Sequence, residues 1–424
     1  MAGRAPRSRL RLRLRRTQRG RRPTIGRARS SCTIGSVPFD CRHQYTYGHD
    51  ACVADCPTRH PSSGFVYQRV GTRDAAPAPE AATVDVAVLD MNHGWPNLGH
   101  AAVVRSLRQV VCDLRSALAA ADLRVRVSSY DVRRHGGRPA VDADAGLLCI
   151  GTGGPGHLDP RRNDGADPGS QGIAEDPSWE PEVFGLFDDL RAHPDGVLLA
   201  ICHSFGIMCR WLGVADAHLR GPEKGGKSAG IMENALTPAA QVHPWFRVLS
   251  QQAGPSQRIA VLDSRLYDLL PDGPLPADMQ AIGYETLGVG GPIGPALTML
   301  EVERTHADGM PRILGINHHP EIVNRPRQLA LLRRRHAAGK IDDRWYEERR
   351  HTLMEALDDR AGEQQLALTS SFSLHGPLRY HLLRRLRQTA EALGRPWPLH
   401  ERATPLAMLA TGEVLSLDEL GAAL

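Results

Sequence analysis

Hydrophobic positions along the chain fall into short, nearly unbroken runs separated by stretches of helical period. Val84–Leu89, Val125–Ser129, Gly146–Ile150 and Gly196–Ala200 are such runs, and Arg258–Leu262, Met279–Tyr284, Ala296–Val302 and Ile313–Ile316 follow. Helical patterns occupy Ala101 to Ala121, Glu182–His193 and Phe205–Leu212. Strands that are apolar throughout, alternating with helices, predict a parallel sheet covered on both faces. The later strands have shorter connections with less helix, which predicts a β-rich excursion before the last core strand. Beyond Pro326 the sequence turns helical and strongly charged over Leu329–Ala338, Asp343–Leu357 and Tyr380–Leu393. Amphipathic helices bury their apolar stripe against a neighbour, so this region is expected to be an appendage packed on the domain or on a second copy.

Three regions follow from this pattern. Residues 1–82 read as an Arg-rich, disordered tail with a linker over residues 73–82, which is rich in Ala and Pro. Residues 83–335 form the α/β domain, and 336–424 the helical C-terminal extension. Within the domain, Leu158–Pro181 is polar and rich in Gly, Asp and Pro, and reads as a long insertion loop, a place where function often resides.

Charge refines the picture. The 424 residues carry a net charge of +5, yet the first thirty hold twelve arginines and no acid, so the folded part is net acidic. No nucleic-acid partner is expected of such a domain. No run approaches the roughly 18 apolar residues of a membrane span, and the tail lacks the apolar core of a secretory signal. Eight cysteines in a chain of this length do not make a disulfide framework, so the cytoplasm is the expected compartment. Cys32, Cys41, Cys52 and Cys56 lie near His43, His49 and His60, but only Cys52/Cys56 approaches a zinc-ligand spacing. No metal or other cofactor is expected.

Three segments carry chemistry. In Gly196–Gly206 an apolar strand ends at Cys202, and a helical pattern begins at once. That is the strand–turn–helix arrangement of a nucleophile elbow, with a helix N-terminus behind the sulfur to favour its anion. In Ile313–Glu321 a second strand ends in His318, His319, Pro320 and Glu321. A histidine can take the thiol proton, and a carboxylate two residues on can orient the imidazole. In Leu147–Gly156 a strand opens into Gly151-Thr152-Gly153-Gly154-Pro155-Gly156, a turn whose backbone amides could hold an oxyanion together with the N–H of His203.

Taken in this order, the three segments resemble the class I, triad-type glutamine amidotransferases. In that family a Gly-Gly-Pro-Gly turn precedes a Gly-Ile-Cys-x-Gly-x-Gln elbow and His-Pro-Glu closes the domain. Ala281–Thr286 and Met299–Glu303 are also similar to the strands before the family's final motif. The resemblance covers about 250 residues and implies a flavodoxin-like open, mostly parallel sheet with helices on both faces. It also implies a Cys202 nucleophile, His319 as base and then acid, Glu321 as its orienting partner, and Gly154 and His203 as oxyanion donors. The implied substrate is a small-molecule amide, glutamine or an analogue, with ammonia passed to a separate synthase or acceptor subunit. Two positions depart from the pattern: Ser204 stands where the family has Gly, and Gly206 where it has the Gln that helps bind glutamine.

Two other readings stay open. Ala200-Ile-Cys-His203 is similar to the elbow of the ThiJ/PfpI family, whose histidine next to the cysteine can serve catalysis; with a γ-glutamyl hydrolase, this gives a cysteine hydrolase acting on another substrate. The third reading is a non-catalytic binding module. Gly221–Ser228 ends like a phosphate-binding loop but lacks the leading glycine and a preceding apolar strand.

Overall fold

The computed structural model describes residues 64–71, 76–95, 97–221, 226–323, 325–339, 341–354 and 360–399. The Arg-rich run and the Cys32, Cys41, Cys52 and Cys56 cluster lie outside the described residues. Ten strands build one sheet: β1 (Phe65–Val70), β2 (Thr83–Asp90), β3 (Arg124–Asp131), β4 (Leu148–Gly151), β5 (Val197–Ile201), β7 (Ser228–Leu236), β8 (Arg258–Arg265), β10 (Gln280–Thr286), β11 (Ile293–Arg304) and β12 (Pro311–Ile316). Their order is β1-β3-β2-β4-β5-β12-β11-β10-β7-β8. Neighbours from β1 to β12 pair parallel, and those from β12 to β8 antiparallel. A separate ribbon joins β6 (Asp216–Leu219) to β9 (Tyr267–Leu270). This is a flavodoxin-like α/β fold whose parallel half carries the expected β-rich excursion as an antiparallel half.

Helices cover both faces. On one side lie α1 (Leu98–Asp113) and α2 (Arg115–Ala121); on the other lie α3 (Trp179–Ala192) and α4 (His203–Leu212). The helical period expected from Ala101 to Ala121 is two helices, because Leu114 leaves helical geometry (φ −90°, ψ 2°) and becomes the cap between them. Asn97 starts α1 by accepting the Gly99 and His100 N–H groups, the ordinary role of an N-cap asparagine.

One expectation needs correcting. Phe65–Val70 falls inside the stretch read as tail and linker, yet it is a parallel edge strand on β3. Its half-buried, irregular pattern hid it, as edge strands present one side to solvent. The C-terminal helices α5 (Arg325–Ala337), α6 (Asp343–Met354), α7 (Arg360–Ser370) and α8 (Gly376–Ala392) follow the domain, and α8 packs into its core. Leu378, Leu382, Leu386 and Ala390 of α8 join Val86, Val88, Val125, Val127 and Leu148 in one core. The extension supplies part of the cover that the parallel sheet requires. A π-helical turn, Ser371–His375, joins α7 to α8, and Trp245 donates through its indole N–H to the Phe372 carbonyl there (2.7 Å).

Ser228, next to Lys227, opens strand β7, whereas a phosphate-binding loop needs a helix at that point. No helix among the described residues is long and apolar enough to cross a membrane. Leu382 is fully buried, so Leu382→Ala is expected to lower unfolding free energy by about 2–5 kcal/mol in urea melts; a loss under about 0.5 kcal/mol, the range of surface positions, would mean α8 does not belong to the core.

Candidate active site

Sheet order sets the site. β5 lies between β4 and β12, so the segments leaving their carboxyl ends emerge side by side. That edge is where open α/β sheets place ligands. The strand β5 stops at Ile201 and α4 starts at His203, leaving Cys202 alone to make the turn. It does so at φ +49° and ψ −102°, a conformation that L-residues rarely adopt. The strain is held by hydrogen bonds on both sides: Cys202 N–H donates to the Ile316 carbonyl (2.7 Å), and Gly206 N–H to the Cys202 carbonyl (3.0 Å).

From β12, His319 and Glu321 reach the same edge. His319 Nδ1 lies 2.9 Å from Glu321 Oε1, leaving the other ring nitrogen free of that bond, and the Cys202 thiol lies near enough to act on the ring's charge. Burial pushes the His319 pKa down, but the charges of Glu321 and Cys202 and hydrogen bonds to both prevail, and it rises well above the ordinary value. The Glu321 carboxylate sits over the first turn of α1, with Oε1 2.5 Å from where a Cβ on Gly99 would stand. Ser370, at the end of α7, donates to the Pro320 carbonyl and ties the C-terminal helices to this loop.

The glycine turn after β4 closes the third side. A side chain on Gly153 would come within 2.9 Å of the His319 ring and 3.4 Å of Cys202 Cβ, so only glycine permits this approach. The Gly153 carbonyl accepts from Thr152 Oγ1 (3.1 Å) and Asn97 Nδ2 (3.4 Å). In a trans peptide the Gly154 N–H then points the opposite way. Among the described residues no hydrogen bond takes up the N–H of Gly154 or of His203, and both residues line the cleft with Cys202. The His203 ring is buried close to the Gly154 backbone, and its Nε2 has no hydrogen-bond partner among the described residues. Burial and the nearby Arg133 and His157 charges hold its pKa well below the ordinary value, so it is neutral.

The two departures from the amidotransferase pattern have local explanations. Ser204 Oγ donates to the Thr152 carbonyl (2.7 Å) and locks the elbow to the glycine turn. Gly206 has no room for a side chain, because a Cβ there would fall 2.4 Å from Leu158 Cδ1. The insertion loop thus fills with Leu158 the space that a longer residue at 206 would take.

That loop is bolted down by a buried ion pair. Arg133 and Glu175, both with side chains shut off from solvent, meet at 2.7 Å. Arg133 also donates to the Met91 and Pro155 carbonyls, and Glu175 accepts from Asn163 and Trp179. Sequence reasoning flagged the loop but not these residues, nor Asn97, Leu158 and Gln171, because a single polar or apolar residue in a loop carries no periodic signal. No group of three or more metal-ligating side chains stands together among the described residues.

With the geometry in place, comparisons with known proteins add little. No family model and no curated protein matches the chain. Among solved structures, one similar chain is a protein from Thermoplasma acidophilum described as a candidate GMP synthase component, at 14% identity and TM-score 0.33, covering 56% of this chain and 85% of that one. Another is the protein SMU.1228c, at 17% identity and TM-score 0.37, covering 72% and 99%. A candidate ThuA-like protein from Bacteroides uniformis has 8% identity and TM-score 0.30, covering 61% and 93%. Likeness at these scores carries no argument, and the site stands on its own residues.

Two outcomes are expected. Glu175→Gln leaves Arg133 buried without its counter-charge and should cost about 3–5 kcal/mol in equilibrium unfolding; a loss near zero would refute the bolt. Stability should also peak near the ordinary histidine pKa. Burial lowers His318 to about 3 and His375 and His381 to about 4, so below 6.5 the unfolded chain binds more protons and stability falls with pH. His319, raised instead, stabilises fully below 6.5 and loses that contribution as pH rises through its folded value. Each histidine contributes a slope of up to about 1.4 kcal/mol per pH unit, so urea melts should fall more steeply on the acid side; an unchanged stability between pH 6.5 and 5 would contradict this.

Proposed function

We propose that this chain is a cysteine-nucleophile amidohydrolase of the glutamine-amidotransferase type. The observation that carries the reading is the line Cys202–His319–Glu321 at a strained elbow, beside two unengaged backbone N–H groups. Cys202 attacks the amide carbonyl as a thiolate while His319 holds the proton. Charge that builds on the carbonyl oxygen is taken by the N–H groups of Gly154 and His203. Collapse breaks the C–N bond, His319 protonates the leaving nitrogen, and ammonia departs from a thioester. His319 then takes a proton from water, whose oxygen attacks the thioester and releases the carboxylate and the Cys202 sulfur. Glu321 keeps the imidazole in the productive orientation throughout.

The ThiJ/PfpI-like alternative relies on the histidine next to the cysteine. His203 is turned to the Gly154 backbone, and His319 is the ring that interacts with Cys202, which favours the amidotransferase arrangement. If ammonia is passed on rather than released, a synthase or acceptor subunit is the partner this reading calls for. The small-molecule amide is read from chemistry alone here.

The test is modification of Cys202 by an amide-mimicking diazo-ketone, followed by intact mass, alongside ammonia release from a panel of primary amides. A single adduct is expected, absent in Cys202→Ser. Cys202→Ser and His319→Ala should each lower turnover by at least about 10³-fold. Glu321→Gln, which keeps the shape but removes the charge, should lower it by about 10²–10⁴-fold. Turnover that survives Cys202→Ser, or a Cys202 that is no more reactive than a free thiol, would sink the reading.

A further inference from the structure

Two glycines beside the nucleophile leave one peptide unguarded. A side chain on Gly154 would collide with the Met91 carbonyl, and one on Gly153 would meet the His319 ring, so neither position admits a larger residue. The peptide between them therefore has the least steric resistance to rotating as a plane. Because the unit is planar, such a flip would exchange the N–H of Gly154 for the carbonyl of Gly153. A carbonyl oxygen repels a developing oxyanion, so the oxyanion site exists only while this plane is held.

The hold comes from hydrogen bonds to the Gly153 carbonyl. Thr152 Oγ1 lies 3.1 Å from that oxygen but also 3.1 Å from the Leu89 carbonyl, and it has one proton for the two. Asn97 Nδ2 is the other donor, at 3.4 Å. The Asn97 carboxamide is fixed in one orientation. Its Oδ1 accepts the N–H groups of Gly99 and His100 as the N-cap of α1, which turns the NH₂ group the other way. The two NH₂ protons go to Asn92 Oδ1 and the Gly153 carbonyl. Asn92 is fixed in turn: Asp90 Oδ1 accepts its backbone N–H (3.1 Å) and its side-chain NH₂, and Arg69 of β1 pairs with the other Asp90 oxygen. A chain of bonds thus runs from the edge strand β1 to the glycine turn beside Cys202. In a flipped peptide the Gly154 N–H would face the Asn97 NH₂ group, donor against donor, so Asn97 opposes the flip even where its own bond is long.

We propose that Asn97 is a positioning residue for the oxyanion site. One half of its carboxamide caps α1, and the other keeps the Gly153–Gly154 peptide oriented with the Gly154 N–H available to the substrate oxygen. This inference rests on the amidohydrolase reading and adds a residue to that same site. Asn97→Asp reverses the arrangement, because a carboxylate oxygen there repels the Gly153 carbonyl and accepts the Gly154 N–H. Aspartate caps a helix about as well as asparagine, so the fold is spared.

The experiment uses the full chain and the primary amide that the wild type hydrolyses fastest, with urea melts and the rate of Cys202 alkylation by iodoacetamide beside it. Alkylation is a displacement at a saturated carbon and forms no oxyanion. Asn97→Asp is expected to lower kcat by about 10²–10³-fold, the scale of losing one oxyanion donor, with KM unchanged. Asn97→Ser still caps α1 but cannot hold the peptide. It should lower kcat by about tenfold, a fraction of that loss, with the urea midpoint and the alkylation rate unchanged, which guards against an effect of the new charge. Asn97→Ala should match Asn97→Ser in kcat while also lowering the midpoint, since it loses the cap. An unchanged kcat in Asn97→Asp and Asn97→Ser would overturn this inference alone. So would a loss carried by KM, which would make Asn97 a substrate ligand, or an equal loss of alkylation in Asn97→Ser, which would place its effect on the nucleophile. A wild-type protein that hydrolyses no primary amide, with a Cys202 no more reactive than a free thiol, would overturn the amidohydrolase reading and this one with it.

Discussion

The single-residue turn at Cys202 is the constraint on which the rest of the site depends. A parallel strand must end and a helix begin within one residue, and that residue sits at positive φ without being glycine. Such a turn costs about 1–3 kcal/mol and persists only where the surroundings over-determine it. Here they do. The backbone of β12 receives the Cys202 N–H, α4 receives its carbonyl, and Ser204 ties the next turn to the loop after β4. The same contacts that hold the strain bring the three neighbouring strand ends together. Because β4, β5 and β12 are adjacent, the glycine turn, the cysteine and the His319–Glu321 pair need no long reach to meet.

Beyond this centre, the chain supports the site from two directions that lie outside its core strands. The insertion loop is anchored through the Arg133–Glu175 pair, a buried ion pair that also satisfies carbonyls of Met91 and Pro155. Two charges in the interior are tolerable only when fully paired and hydrogen-bonded, and each partner here has further polar contacts. From the other side, α7 and α8 complete the hydrophobic cover of the sheet and place Ser370 under Pro320. The π-helical turn between them shifts the register of the helix, letting Trp245 bond the Phe372 carbonyl. An account of the site that stopped at residue 335 would omit part of what holds the His319 loop.

How much of this was legible in the sequence depends on the physical signal each part leaves. Buried parallel strands are unbroken apolar runs, so Val84–Leu89 and Ile313–Ile316 were readable within a residue or two of β2 and β12. The strand β7 was not, because Ser228–Leu236 mixes Gly, Glu and Asn into an antiparallel strand with an irregular burial pattern. The strand β1 lacked a full apolar face for the same reason. Cys202, His319, Glu321, Gly154 and His203 could be singled out because each lies close after a strand end, where composition changes abruptly. Gln171 and Leu158 were invisible, since their positions come from loop anchoring by Tyr267, Gly156 and the Arg133–Glu175 pair. Those contacts span from 15 residues, as between Gly156 and Gln171, to 98, as between Gly169 and Tyr267, and leave no local trace.

The two departures from the amidotransferase pattern differ in kind. Ser204 is conservative in effect: its hydroxyl makes a bond that holds the elbow to the Thr152 carbonyl, so the setting of Cys202 is reinforced. Gly206 is not conservative. A glutamine there would have to displace Leu158, and Leu158 belongs to a core with Phe205, Met208 and Tyr267. Moving it would disturb the packing that seats the insertion loop, at the cost of about 1–3 kcal/mol usual for overpacking. Restoring the family residue at 206 is therefore incompatible with the loop as it stands. The loop and the glycine form one unit, and the same unit that excludes a polar side chain next to Cys202 delivers Gln171 further along the cleft. The turn at Cys202 and the side chains that line the rest of the cleft thus come from different parts of the chain, the first from adjacent strand ends and the second from the anchored loop.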